Sequence, residues 1–415
     1  MRPLSDGDVR AAEEAPAAAP QGERASLLTW RTGDEKFRLL AAVILALFAL
    51  YGVTFAAIAA VRMATHPVGD FFALWTCGKF TLEHPAAEVY DPALLTRAQV
   101  AWGMDPHITY PCPYPPSFLL ALRSLGMLPL VPAYVIAIGA TLGLYLWATV
   151  GRGWFSPLTA AALVAPTTTI TAVAGQAGFL CAALLVGGFR LAAGRPIAAG
   201  ILFGLATYKP QMGILVPVAL ISARLWRTVA AAGATVVALV VFSGAVLGID
   251  AWQAWLADIS RYSRQFAAES SEISHLMPTV SASLTRLGVV PWIATVIQCG
   301  AAAIAVWVTW RCFRVGPTAL AAAALFVATF LGSPHAFVYD MPMVTTAVVW
   351  FIAERHRAGG AFGTGEIVVM IAAMISPITL VSANSRLPFA ALSLALLLGI
   401  IVLRLRSVEK SVAGA

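Results

Sequence analysis

The chain has 415 residues, of which 60% are apolar and only 11% charged. A soluble domain carries about 25% charged residues, so composition excludes a water-dispersed globular protein and makes lipid the solvent for much of the surface. The net charge of +7 does not point to nucleic acid, because the basic residues fall in pairs between apolar segments, the pattern that orients a membrane protein.

In lipid every backbone polar group must be satisfied within the segment, which leaves helices or a closed barrel. The apolar runs are long and rich in Ala, Leu and Val rather than alternating. The expected fold is an all-α polytopic membrane protein. Residues 1–35, rich in Ala, Pro, Glu and Arg, read as a disordered tail. The first apolar run begins near Phe37 and is too long for a signal peptide, so it spans. An outer segment, 62–115, follows. A short apolar piece, 116–128, ends at Pro129 and can re-enter. Further spans are expected near 130–150, 156–173, 176–190, 196–208, 210–223, 228–248, 289–310, 316–333, 340–353, 364–382 and 386–403, about twelve in all. The transmembrane domain covers 36–404 and residues 405–415 form a second tail. The segments 196–208 and 210–223 fall short of the roughly 20 residues a bilayer needs.

Alternate turns carry Arg152, Arg190 and Arg195, Arg224 and Arg227, Arg311 and Arg314, then Arg355 and Arg357. The tails add Arg24, Arg31, Lys36 and Arg38, then Arg404, Arg406 and Lys410. The positive-inside rule puts these on the cytoplasmic side of a bacterial inner membrane, with both termini inside. The opposite face then gathers the loops 62–115 and 249–288, Gly175-Gln176, Lys209-Pro210-Gln211 and Ser333 to Asp340. Cys77 and Cys112 could meet there, where a disulfide is permitted. Cys181, Cys299 and Cys312 read as small apolar residues. No CxxC or His-rich spacing occurs, and no metal or cofactor is expected.

The candidate residues each carry two readings. Asp70, between Gly69 and Phe71-Phe72, is either a helix N-cap or a poorly solvated carboxylate suited to accept a proton. The run Tyr110-Pro-Cys-Pro-Tyr114-Pro-Pro116 cannot be helix. It is a stiff connector, or it presents Tyr114 to substrate. Arg123 within apolar sequence is costly and wants an anion or carboxylate. Lys209, before Pro210, is a snorkelling lysine or a cation for phosphate. Gln176 and Gln211 are turn residues or contacts to sugar hydroxyls. His335 makes a structural hydrogen bond or touches phosphate or acceptor, and Asp340 caps the next span or is the second acid. Trp252, Trp255 and Tyr262 can share one stripe of an interfacial helix.

The order of these features resembles glycosyltransferase family 87: an Asp after the first span, an aromatic run, Tyr90-Asp91, Tyr114-Pro115-Pro116, Gly175-Gln176, Lys209-Pro210-Gln211 and Ser333-Pro334-His335 with Tyr339-Asp340. The similarity covers about residues 37–400. It implies the GT-C membrane fold and a polyprenyl-phosphate sugar donor, as in the family's mannosyltransferases. The acceptor would be a lipid-linked or envelope glycan on the outer face. It makes Asp70 the family's catalytic aspartate and His335 the histidine of its late outer turn. The roles of Lys209, Gln176 and Gln211 rest on position alone. The alternative, a transporter or flippase for an anionic or lipid-linked substrate, would place its polar residues near the midplane.

Overall fold

The computed structural model describes residues 29–65, 69–108, 110–151, 153, 156–268, 273–382 and 387–413. The predicted tail therefore lies outside the described residues up to residue 28, as does Arg152. Within the rest of that segment, β1 (Thr29–Trp30) pairs antiparallel with β2 (Phe362–Gly363).

Helices follow in the order α1 (Glu35–Thr65), α2 (Asp70–Glu83), α3 (Pro92–Ala101), α4 (Pro116–Gly126), α5 (Leu130–Val150), α6 (Pro157–Val164), α7 (Pro166–Ala174), α8 (Gly178–Ala192) and α9 (Pro196–Leu205). Then come α10 (Val216–Ser222), α11 (Trp226–Leu247), α12 (Ile249–Ala268), α13 (Val280–Arg286), α14 (Pro291–Phe313), α15 (Ala319–Gly332), α16 (Pro342–Arg357), α17 (Thr364–Val381) and α18 (Phe389–Ala413). Proline opens α3, α4, α6, α7, α9, α14 and α16. Its fixed φ suits the first helical position, where its missing N–H costs nothing. These prolines cut long apolar stretches into short helices.

Against about twelve expected spans, six helices among the described residues are long and apolar enough to cross a bilayer: Glu35–Ala60 of α1, α5, α11, α14, α17 and Phe389–Val408 of α18. There are seven if α6 and α7, bent by 46° at their break, form one span. The other expected spans are the shorter helices α8, α9, α10, α15 and α16. At 14 residues, α15 rises about 21 Å, less than a hydrocarbon core of about 30 Å. Every residue from Leu320 to Leu331 is buried. Its apolarity serves packing against α14, α16 and α18, whereas α1 and α11 are each only 6% buried. Periodicity does not separate a core helix from a lipid-facing one.

The expected outer loops are organised. In 62–115, α2 crosses α4 closely: a Cβ on Gly78 would stand 1.9 Å from the Leu122 carbonyl oxygen. A disulfide joins Cys77 to Cys112, with Cα atoms 6.0 Å apart, which settles the open cysteine pair. In 249–288, α12 lies across the 86–90 turn and the approach to α4. Its Trp255 indole donates to the Pro113 carbonyl (3.1 Å) and its Arg261 to the Tyr90 carbonyl (2.7 Å). At the far end, α18 continues through the expected tail to Ala413.

Candidate functional site

Asp70 is not an N-cap. Gly69 occupies that position without a side-chain bond, and Asp70 is the first residue of α2. Its carboxylate turns to another element: Gln176 Nε2 donates to Asp70 Oδ2 at 3.2 Å. Gln176 sits in the α7–α8 turn, which Gly175 makes possible with its positive φ of 72° and its backbone against Phe71. The same amide accepts from the Tyr114 hydroxyl at 3.1 Å. The Tyr114 carbonyl in turn accepts from Tyr90 (2.8 Å). A tyrosine–amide–carboxylate chain results, and no hydrogen bond from the described residues reaches Asp70 Oδ1.

The second half of the site is deeper. Lys209 stands between two single turns of 3-10 helix, 206–208 and 210–212. Its Nζ donates to Asp340 Oδ1 at 2.7 Å, and both side chains are almost fully buried. The ammonium also lies 4.9 Å from the Tyr339 ring centroid, a cation–π contact. Asp340 therefore spends its carboxylate on Lys209 rather than on a cap, and Met341 holds the cap position of α16. The 338–340 turn is pressed onto α8, since a Cβ on Gly178 would stand 1.9 Å from the Tyr339 carbonyl oxygen. This contact lies two residues from Gln176 and one from Asp340, so it joins the two halves of the site.

Burial raises the Asp70 pKa above the usual carboxylate value, while the Gln176 hydrogen bond and the Lys209 charge pull it back. The two halves thus share one electrostatic field. Asp70 also raises the phenol pKa values of Tyr110, Tyr114 and Tyr339, in each case behind the larger effect of burial. Tyr262 of α12 acts on Tyr114 and Tyr339 as well, so α12 borders the site. His335 keeps an exposed edge in the turn after α15. Desolvation of its packed side lowers its pKa and favours the neutral ring near pH 7.

Asp70, Gln176, Tyr114, Lys209 and Asp340 thus come together. His335 follows Ser333, to whose Oγ its backbone N–H donates at 3.2 Å, while Arg123 and Gln211 do not join the cluster. Arg123 donates to the Thr81 carbonyl at 2.7 Å, eleven residues along α2 from Asp70 and so roughly 16 Å away. It caps the far end of α2. Gln211 is half-buried beside Lys209, but its side chain joins none of these hydrogen bonds. Tyr339 and Tyr262 are neighbours of the site that the sequence placed only beside Asp340 and on an interfacial stripe. Tyr339 had a signal, its place beside Asp340 in a polar turn between apolar helices.

The arrangement offers a poorly solvated carboxylate with one open oxygen, an amide that fixes the other, and a buried ammonium. One ammonium N–H is used on Asp340, and an ammonium has three. Among the described residues no group of three or more His, Cys, Asp or Glu could hold a metal ion. The sequence model of glycosyltransferase family 87 matches residues 113–334, just over half the chain, including Tyr114, Gln176 and Lys209. No curated protein and no solved structure matches.

Proposed function

Because the chain belongs to glycosyltransferase family 87 and is a glycosyltransferase, we propose that it moves a hexose, mannose in the first instance, from a polyprenyl-phosphate sugar to a lipid-linked or envelope glycan. The transfer takes place on the non-cytoplasmic face of the membrane, within a fold of the GT-C kind. The observation that carries this reading is the Asp70 carboxylate beside a buried polar cluster, with Oδ2 held by Gln176 and Oδ1 reached by no hydrogen bond from the described residues. An acceptor hydroxyl must lose its proton as the new glycosidic bond forms, and Asp70 is the base that takes it. The donor carbon–oxygen bond to phosphate breaks, and the phosphate leaves as an anion.

A leaving phosphate near the bilayer needs donors, because a poorly solvated charge is costly when unpaired. Lys209 has N–H groups left after Asp340, and neutral His335 can donate one hydrogen bond. Tyr114 and Gln176 are placed for sugar hydroxyls. Asp340 positions Lys209 and orders Tyr339. A lipid-borne donor suits an apolar bundle with wide lipid-facing sides.

The test is donor choice. Purified protein in proteoliposomes, given an acceptor lipid extract, should transfer hexose from a polyprenyl-phosphate sugar and not from the matching nucleotide sugar. Transfer from the nucleotide sugar alone would overturn the reading. With the family shown, the transporter reading is set aside.

A further inference from the structure

A cavity of about 900 Å³ opens at the end of the bundle away from Asp70. It lies beside Thr149 and Val150 at the end of α5 and beside the first turns of α1, whereas Asp70 follows the last turn of α1. Its size falls in the range of about 300–1,000 Å³ typical of small-molecule sites. Two kinds of surface line it.

One wall is cationic. Arg38 enters from α1, Arg190 from α8, and His356 and Arg357 from α16. Arg357 is offset by Glu354 at 2.9 Å. Among the described residues neither Arg38 nor Arg190 has a carboxylate partner. Arg190 is also held in place. Its Nη1 donates to the Ala148 and Thr149 carbonyls at 2.7 and 3.1 Å. Its Nη2 passes over Gly151, where a Cβ would stand 2.2 Å from it. A guanidinium carries five N–H donors in a rigid fork, so this one is oriented with donors to spare.

The other wall is apolar. Phe37, Ala41 and Leu45 line it from α1 at a spacing of four residues, which puts them on one helix face. Phe189 and Trp350 face them from the bundle. Because α1 is only 6% buried, a hydrocarbon chain can enter beside it from the bilayer without crossing protein.

Two guanidinium charges without acids at the edge of an apolar cavity call for an anion. The adjoining apolar wall calls for a tail on that anion. We propose that this cavity binds an acidic lipid, its phosphate among Arg38, Arg190 and His356 and its chain along Phe37, Ala41 and Leu45. This site is separate from the Asp70 cluster and does not rest on the reading of that cluster. The basic residues around it match the face that anionic headgroups attract.

The test is native mass spectrometry of the full chain in detergent, titrated with phosphatidylglycerol, phosphatidylcholine or inorganic phosphate. One phosphatidylglycerol should bind in preference to phosphatidylcholine, and millimolar inorganic phosphate should not displace it. Arg38→Gln should weaken that binding by about tenfold, the loss of one charge-assisted hydrogen bond. Ala41→Phe fills the cavity without changing charge and should weaken it comparably, with melting curves to verify that both variants are folded. Displacement by inorganic phosphate would remove the tail from the proposal and overturn it. Binding lost in Arg38→Gln but retained in Ala41→Phe would show lipid held at the surface by charge alone, and would overturn it equally.

Discussion

Burial raises the Asp70 pKa, and the Gln176 amide and the Lys209 charge hold the rise in check. Only the ionised form can accept a proton from the acceptor hydroxyl. The ionised fraction falls as pH drops through the raised pKa, so kcat/KM should fall on the acid side at a pH above the ordinary aspartate value of about 3.9. Gln176→Leu removes a contribution that lowers the pKa. It should move the acid limb to higher pH and depress turnover at neutral pH. The check is a pair of pH–rate profiles. A limb that stays in place, or moves to lower pH, would separate that limb from Asp70. Arg123 shows the opposite case at this scale. Its cost in apolar sequence is met by a carbonyl at the end of α2, so a charge that reads as functional is explained by packing.

Short helices and close crossings bring the polar residues to one place. The contact of Gly178 with the Tyr339 carbonyl seats the turn that carries Asp340. Gly178→Ala inserts a methyl against the Tyr339 carbonyl and beside the Thr171 side chain, and overpacking of this kind costs about 1–3 kcal/mol. Thermal melting should report that loss, and transfer activity should fall with it. Gly139 has nothing within 4 Å of its Cβ position. Gly139→Ala should be neutral or stabilise by up to about 1 kcal/mol, from helix propensity. Equal behaviour of the two variants would contradict the seating role. Much at this scale was legible in the sequence. The Gly-Asp-Phe-Phe stretch after the first span, the Pro-rich entry to α4 and the break at Lys209-Pro210 mark real turns and helix starts. The partners were not legible. Gln176 meets Asp70 across 106 residues and Lys209 meets Asp340 across 131. A local pattern shows which face of an element is polar but not what will face it. Burial was not legible either: the composition of α15 is that of a lipid-facing helix, yet every residue from Leu320 to Leu331 is buried.

For the molecule as a whole, polarity is divided between two ends. Arg190, Arg355 and Arg357 mark one end, where His356 meets Thr32 and the Trp30 indole donates to Thr364. Asp70, Gln176 and Tyr114 mark the other. If the basic end is cytoplasmic, a reporter active only in the cytoplasm and inserted after Ala267 in α12 should be silent, while one at the C-terminus should be active. Signal from the Ala267 insertion would reverse the orientation and move the Asp70 cluster to the cytoplasmic face. The central claim remains that Asp70 is the base of a membrane glycosyltransferase. Its most direct test is turnover of Asp70→Asn and Asp340→Asn in proteoliposomes charged with polyprenyl-phosphate hexose and acceptor lipid. Asp70→Asn keeps the shape, and its amide can still bond Gln176, while the basicity is lost. Turnover should fall by at least about 10², the lower end of what a positioned base contributes, with expression and melting temperature unchanged. Near wild-type turnover in Asp70→Asn, with Asp340→Asn folded and inactive, would contradict the assignment.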